Sequence, residues 1–270
     1  MPRKTSLACL LLSLLLLLCS CVRGTPDTLE VLFLEMGKAD AILITVGEHA
    51  VLIDAAERES GGIVLDALAA RGVARLDMMI VTHFDRDHVG GAEQVLREIA
   101  VDSLFDAAYE ADSGPYARYL RAIESTGTFR TRVTERISVD VGELAFTLYP
   151  SPVQDGQDND RSILVSLVYG AHSFFFAADA EEALIGAALA AGVGEHTVLK
   201  VPHHGRWKDN LAAFVDAVRP DIAIITDSDE VPADQAVVEL LEGIGAAVYH
   251  TRFGDVVIRS DGMRSIFCEQ

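Results

Sequence analysis

The sequence has few cysteines outside its N-terminal segment. Cys9, Cys19 and Cys21 fall within the first 21 of its 270 residues, and only Cys268 remains near the C-terminus. One thiol cannot close an internal disulfide, so a disulfide framework is excluded for residues 27–270. Their fold must rest on a hydrophobic core, with bound metal as a further source of stability. We interpret Cys268 as a packed terminal residue rather than a metal ligand.

Basic and aromatic residues are also scarce. The chain has 22 Lys and Arg against 41 Asp and Glu, a formal net charge of −19, and only 7% of its residues are aromatic. A strongly acidic surface repels polyanions at long range, which disfavours a dedicated nucleic-acid binder without excluding nucleic acid as a substrate. Half of the residues are hydrophobic, so an aliphatic core large enough for one globular domain is available.

A long hydrophobic run occurs only at the N-terminus. Arg3 and Lys4 precede "LACLLLSLLLLL", which is too short for a comfortable bilayer span and is typical of a signal peptide. "LCSC" then resembles a bacterial lipobox that would make Cys21 the lipidated first residue. An ordinary signal peptide, cleaved near Gly24 or Thr25, is the alternative. We therefore expect residues 1–26 to direct export to the periplasm or cell envelope, with a lipid anchor to the membrane if Cys21 is processed.

Residues 27–270 read as alternating strands and helices without a Pro- or Gly-rich linker. Apolar runs of strand length lie at 29–36, 41–46, 50–55, 75–82, 137–150, 162–170, 172–179, 197–205 and 219–229. Segments with helical spacing lie at 61–72, 92–100, 180–192 and 234–245. Because strands followed by strand–helix units occur twice, the pattern predicts an α/β fold in one domain, a four-layer αββα sandwich with two packed sheets inside.

Three of the predicted strands end in side chains of the kind that bind metals. The first end carries "THFDRDHVGG" (82–91), the second ends in "FFFAAD" (174–179), and the third is "VLKVPHHG" (198–205). Imidazole nitrogen and carboxylate oxygen bind zinc at about 2.0–2.2 Å, and mixed sets also suit manganese. The close spacing on one loop can direct side chains toward two ions, which together activate a water for hydrolysis. We therefore predict two divalent metal ions, Zn or Mn. The four histidines outside these strand ends are interpreted as structural or surface residues: His49, His172, His196 and His250.

Several of these stretches also match one known family. "THFDRDHVGG", "FLEMGKADAILI", "VLIDAA", "NDRSILVSLVYG" and "VLKVPHHG" resemble motifs of the metallo-β-lactamase superfamily. Within it they resemble the branch that includes the hydrolase domain of the ComEC/Rec2 competence proteins. The resemblance extends over about residues 29–267 and implies the metallo-β-lactamase fold, the same four-layer sandwich, with a dinuclear metal site.

The resemblance also implies a role for each ligand-type residue. It implies that one ion is held by His83 and Asp85, and that the other is held by Asp87, His88 and His204. Asp179 would bridge the two ions, and Asp87 would also be the catalytic residue that orients the attacking water. The roles of His203 and His204 can be exchanged on the sequence alone.

Four further residues would surround the metals. Asp54 would lie beneath the metal loop and hold its backbone or a ligand histidine, although a turn residue explains it equally well. His203 would face the substrate, and Asp40 and Asn159 would lie near the pocket mouth, with ordinary turn and loop positions as the alternative.

This chain departs from the family pattern at several points. Asp85 stands where other branches have histidine, and a middle histidine is missing, with Asn159 or Asp160 nearest to its position. A site richer in carboxylate favours manganese over zinc. Arg206, Trp207 and Lys208 follow the HHG, where this stretch could hold a phosphate, with arginine as a planar fork. The alternative is that Trp207 packs at the start of a helix. A second group of arginines, between residues 118 and 136, is interpreted as a solvated face.

The sequence thus predicts an exported metallo-β-lactamase-fold hydrolase that acts on a phosphodiester or a related ester, with a small-molecule or phosphodiester substrate as its partner. A β-lactam or lactone hydrolase is an alternative from the same enzyme class. A lipid-anchored binding domain that kept the fold and lost turnover is an alternative from outside it.

Overall fold

The computed structural model describes residues 27–153 and 156–270. The predicted export segment, residues 1–26, and its lipidation site Cys21 therefore lie outside the described residues. Within the described ranges, no helix is both long enough and apolar enough to cross a bilayer.

The first half of the chain builds most of an eight-stranded sheet. Its strands are β1 Leu29–Phe33, β2 Ile42–Val46, β3 His49–Ile53, β4 Arg75–Val81, β5 Ala100–Ala107 and β6 Arg130–Val133. Two C-terminal strands, β14 Val256–Ser260 and β15 Ile266–Glu269, return to complete the order β15-β14-β1-β2-β3-β4-β5-β6. From β3 to β6 neighbouring strands run parallel, so their carboxyl ends lie at the same edge.

The second half builds a seven-stranded sheet in the order β13-β12-β11-β10-β9-β8-β7. Its strands are β7 Ile137–Val141, β8 Leu144–Tyr149, β9 Leu164–Tyr169, β10 His172–Phe176, β11 Val198–Lys200, β12 Ile222–Ile225 and β13 Ala247–His250. Here β10 to β13 are the parallel strands. Each sheet therefore offers one edge at which several parallel strands end.

Helices complete the sandwich on its two outer faces. The helices are α1 Gly61–Ala70, α2 Arg86–Val89, α3 Ala92–Glu98, α4 Gly114–Thr126, α5 Glu182–Ala190, α6 Leu211–Val218 and α7 Gln235–Gly243. The larger buried cluster joins the two sheets, as in the contact of Phe33 with Phe176, whose ring centroids are 6.2 Å apart. A second cluster packs α5, α6 and α7 on the outer face of the second sheet, through side chains such as Phe214 and Leu241. Each such buried side chain contributes about 1.5–3 kcal/mol. The predicted αββα sandwich is confirmed.

One region carries more structure than the sequence pattern indicated. Residues 100–133 form β5, α4 and β6, whereas the arginines of 118–136 were interpreted as a solvated face. Arg130 departs from that interpretation, because its Nε lies 2.6 Å from Asp106 in the interior. Helix α4 begins with Ser113 accepting a hydrogen bond from the Tyr116 N–H and ends at Gly127 with φ +68°. Both are ordinary helix boundary signals.

Candidate metal centre

The carboxyl ends of five parallel strands meet at one edge of the sandwich. Asp54 follows β3, His83 follows β4, Asp179 follows β10, His204 follows β11 and Thr226 follows β12. Side chains that are distant in sequence become neighbours here because parallel strands deliver their following loops to the same edge.

Four of the predicted ligands form a compact group, which we call the ligand cluster: Asp87, His88, Asp179 and His204. Each offers one ligand atom, and these atoms all lie within 4.8 Å of one another. Asp179 lies between the two histidines, with Oδ1 3.3 Å from His88 Nε2 and Oδ2 3.0 Å from His204 Nε2. Asp87 Oδ2 lies 3.7 Å from His204 Nε2. The carboxylates of Asp87 and Asp179 and the imidazoles of His88 and His204 therefore face one small volume.

The two histidines are oriented by partners on their other ring nitrogen. His88 Nδ1 lies 2.8 Å from Asp54 Oδ2, and His204 Nδ1 lies 2.8 Å from the Thr226 carbonyl oxygen. Asp54 is itself held by the Thr82 N–H and hydroxyl, at 2.8 and 2.7 Å. A histidine that donates Nδ1–H to a carboxylate or carbonyl presents Nε2 as its ligand atom, which is the usual arrangement around protein-bound metals.

The hydrogen bonding of the buried histidine Nε2 atoms shows whether these side chains suit a bound cation. Among the described residues, Nε2 of His83, His88 and His204 finds no hydrogen-bond partner, although all three side chains are buried. An unsatisfied buried nitrogen is costly and uncommon, and two of the three, those of His88 and His204, face the same carboxylate, Asp179, without a well-directed hydrogen bond to it. Two carboxylates and two imidazoles are a fitting donor set for Zn²⁺ or Mn²⁺. The residues present therefore fit a divalent cation.

A layer of paired polar groups lies beneath the ligand cluster, and we call it the site floor: Asp40, Asp54, Lys200 and Thr226. The Lys200 ammonium lies 2.5 Å from Asp40 Oδ2 and 3.5 Å from Asp179 Oδ1, and it donates to the Ala178 carbonyl. Thr226 donates its hydroxyl to Asp40 Oδ1 at 2.6 Å. Each floor residue is 1% exposed, so these contacts are shielded from water, and the one from Lys200 helps to fix the position of Asp179. Asp40 therefore lies in the buried floor, whereas the sequence placed it near the pocket mouth.

The electrostatics favour positive charge inside the ligand cluster. Burial would lower the pKa of His88, but the carboxylates of Asp179, Asp54 and Asp40 raise it well above its ordinary value. Burial would raise the pKa of Asp179, yet His204, His88 and Lys200 hold it well below its usual range. The carboxylates that favour a proton on His88 would equally favour a divalent cation, so metal binding would compete with protonation of this ring.

The turns that carry these residues are strained. Asp54, Ala178, His203 and His204 have φ values of 57°, 47°, 44° and 52°. A left-handed conformation costs about 1–2 kcal/mol for a residue with a side chain and persists where surrounding contacts enforce it. In the HHG turn it sends the two neighbouring histidines in different directions, His204 into the ligand cluster and His203 toward its rim.

His83 and Asp85 lie beside the ligand cluster rather than within it. The His83 ring is buried 4.1 Å from the His88 ring, centroid to centroid. Asp85 has a side chain that is 44% exposed, and its Oδ2 lies 3.9 Å from His83 Nε2. A second ion at these two residues stays a prediction.

Partly exposed pairs surround the opening above the cluster, and we call this rim the site mouth: Lys38, Asp85, Glu181 and His203. Glu181 accepts from Lys208 at 2.7 Å and lies 2.9 Å from His203 Nδ1. Asn159 Nδ2 lies 3.4 Å from His203 Nε2, which keeps Asn159 at this rim. Lys38 donates to Asp87 Oδ2 at 2.9 Å.

Comparison with known proteins places this geometry in a family. The sequence profile of the metallo-beta-lactamase superfamily matches residues 35–226. The chain belongs to the metallo-β-lactamase superfamily. The predicted family, its fold and the hydrolase class are thereby confirmed, while the substrate is not specified.

Individual relatives agree with this metallo-β-lactamase assignment. ComE operon protein 3 of Bacillus subtilis (strain 168) is 27% identical over 168 residues, covering 61% of this chain and 21% of that protein. Recombination protein 2 of Haemophilus influenzae (strain ATCC 51907 / DSM 11121 / KW20 / Rd) is 27% identical over 235 residues, covering 84% and 28%. The chain thus spans less than a third of the length of these curated relatives. The solved metallo-beta-lactamase fold protein YhfI from Bacillus subtilis has a TM-score of 0.58 at 13% identity, covering 86% of this chain and all of that one.

Arg206, which follows the HHG of this metallo-β-lactamase site, does not point to the cluster. Its guanidinium lies 3.0 Å from Asp234 Oδ1, and the same carboxylate accepts from the Trp207 N–H. The predicted phosphate contact through Arg206 would require this pair to open.

Sequence reasoning missed four polar residues around the metallo-β-lactamase site: Lys38, Glu181, Lys200 and Thr226. Lys200 left a signal, because it interrupts the apolar run "TVLKV" and a buried lysine is rare unless it is paired. The other three occupy loop positions whose contacts depend on the tertiary fold.

Proposed function

We propose that this chain is an exported, metal-dependent hydrolase that cleaves a phosphodiester or a related ester. The observation that carries the proposal is the convergence of the buried Nε2 atoms of His88 and His204 on Asp179, at 3.3 and 3.0 Å, without a well-directed hydrogen bond to it. A non-catalytic core has no need for such an arrangement, whereas a cation-binding site requires it.

The chain's own residues would then divide the work. Asp54 and Thr226 fix the two ligand rings, and Lys200 fixes Asp179 from below. A divalent cation bound there would acidify a water and stabilise the negative charge that develops on the scissile group. Asp87 borders the open cleft and would orient the attacking water. Zn²⁺ and Mn²⁺ are the candidate ions, with His83 and Asp85 as candidate ligands of a second one.

The cleft supports a small, anionic substrate. It has a volume of about 620 Å³, and its charged lining residues are Lys38, Glu57, Asp85, Arg86, Asp87 and Glu230. A divalent cation bound beside Asp87 would offset these carboxylates, and the two basic side chains could then contact a phosphate group. The net charge of −19 repels long polyanions, so we favour a small phosphodiester over a nucleic-acid chain, although one relative is named for recombination.

The purified full chain, loaded with Zn²⁺ or Mn²⁺, tests the activity. We expect hydrolysis of bis(p-nitrophenyl) phosphate that disappears on chelation and in Asp179→Asn, with no comparable cleavage of a chromogenic cephalosporin. The reverse preference would support the β-lactam or lactone alternative. Metal binding without turnover of either substrate would support a binding domain instead.

Export and lipid attachment are proposed from residues 1–26 alone. If Cys21 is the anchor, the protein expressed in a bacterium incorporates labelled palmitate and Cys21→Ser does not. Unlabelled protein that is nevertheless released to the periplasm would indicate an ordinary signal peptide.

A further inference from the structure

Lys38 contacts a carboxylate oxygen for which a bound metal ion would compete. It lies in the loop between β1 and β2, and its ammonium is 2.9 Å from Asp87 Oδ2. That same oxygen faces His204 Nε2 at 3.7 Å, so it is the Asp87 oxygen directed at the ligand cluster. An ammonium and a divalent cation therefore compete for one carboxylate oxygen.

The loop is anchored, but the lysine side chain is free to turn. The Asp40 N–H donates to the Asp87 carbonyl at 3.1 Å, which ties the loop backbone to the metal loop. The Lys38 side chain is 30% exposed and lines the cleft of about 620 Å³. Lys200, in contrast, is enclosed on the opposite side of the cluster and cannot leave its partners. Of these two lysines, Lys38 has the room to change partner.

We propose that Lys38 exchanges partners when the metal centre is loaded. It neutralises Asp87 while no cation is bound, and once Asp87 binds a cation it turns its ammonium into the cleft to hold an anionic group of the substrate. This inference rests on the proposed function and adds a residue that selects phosphate-bearing substrates.

Charge in the cleft supports the second half of this exchange. Asp85, Asp87, Glu57 and Glu230 line it together with Lys38 and Arg86, so without a cation the lining is acidic. Arg86 is already 3.1 Å from Glu57. When a metal ion binds to Asp87, Lys38 loses its ion-pair partner. It is then an unpaired positive charge in the cleft lining, next to the ligand cluster.

The test compares Lys38→Gln with Lys38→Arg and Arg86→Gln. Lys38→Gln keeps a polar side chain of similar shape without its charge, and Lys38→Arg keeps the charge. Arg86→Gln removes an equal charge from the same cleft, but from a side chain that pairs with Glu57 rather than with Asp87. The affinity for Mn²⁺ or Zn²⁺ is measured by competition with a chromophoric chelator. The affinity of the metal-loaded protein for inorganic phosphate is measured by calorimetry.

We expect Lys38→Gln to bind the metal about tenfold more tightly and phosphate about tenfold more weakly than wild type. Lys38→Arg should stay close to wild type in both measurements, and Arg86→Gln should leave the metal affinity nearly unchanged. Equal tightening in Lys38→Gln and Arg86→Gln, or an unchanged metal affinity in Lys38→Gln, would overturn the exchange while leaving the proposed function intact. A wild-type protein that binds neither metal would overturn both.

Discussion

The floor and the mouth of the metal centre use similar residues in different ways. In the floor, the side chains of Lys200, Asp40 and Thr226 are buried, and Asp40 is paired with both of the others. In the mouth, Lys38 and Asp85 are partly exposed and face the cleft. Charge pairs shielded from water hold geometry because breaking them strands a charge, whereas exposed pairs contribute little and can open. The floor should therefore determine the metal affinity and the stability of the fold, and the mouth should determine substrate binding.

Removing the central carboxylate should have the largest effect. Asp179→Asn replaces the carboxylate between His88 and His204 by a neutral amide. Loss of a group that only orients a ligand lowers metal affinity by about 10–100-fold, so loss of this ligand should lower it by more than about a hundredfold. The metal-to-protein ratio after gel filtration measures this loss. Asp234→Asn, at the exposed partner of Arg206, is the matched control and should retain its metal. Equal metal contents in the two variants would show that Asp179 is not a ligand of the metal centre.

Lys200→Met should show how much the floor depends on its buried charge. The substitution leaves Asp40 without its closest counter-ion in the interior, and breaking a buried pair in this way costs about 3–5 kcal/mol. Lys38→Met breaks a partly exposed pair and should cost less than about 1 kcal/mol. Urea unfolding of the metal-free proteins compares the two free energies of unfolding. Similar losses would erase the distinction between floor and mouth.

Asp54→Asn should weaken metal binding without removing a ligand. His88 would lose the carboxylate that orients its ring, and the metal affinity should fall by about 10–100-fold. Glu181→Gln makes the same kind of change beside His203, outside the ligand cluster, so its metal affinity should match wild type. Chelator competition measures both. A comparable loss in Glu181→Gln would bring His203 into the set of ligands.

Ala178→Gly should give the smallest change and in the opposite direction. Ala178 has φ 47°, which glycine adopts without steric strain, although glycine also gains entropy in the unfolded chain. The free energy of unfolding should rise by less than about 1 kcal/mol, with unchanged metal content. A loss of stability would mean that the strain at Ala178 is smaller than the entropy that glycine gains in the unfolded chain.

The sequence pattern was sufficient for the layers of the fold, because long apolar runs and helical spacing are local signals. It was insufficient for residues 100–133, where β5 is buried on both faces only in its second half, which itself includes Asp106, and where the arginines suggested exposure to solvent. Arg130 is instead partly enclosed beside Asp106, a partner 24 residues away that no local pattern indicates.

The same limit applies to the metal centre. Motif spacing pointed to the strand ends, yet it left the choice between His203 and His204 open because both follow the same strand. The left-handed turn places His204 Nε2 3.0 Å from Asp179 Oδ2 and leaves His203 Nε2 at 3.9 Å. The contacts of Lys38 and Lys200 could not be predicted either, since their partners lie in loops and a short helix elsewhere in the chain.

Anomalous diffraction from crystals grown with Mn²⁺ or Zn²⁺ tests the centre most directly. Data recorded on both sides of the metal absorption edge should give a peak among Asp87, His88, Asp179 and His204, with Nε2 of both histidines about 2.0–2.2 Å from the ion. A metal-loaded crystal without a peak there, or with its ion held by other side chains, would contradict the account.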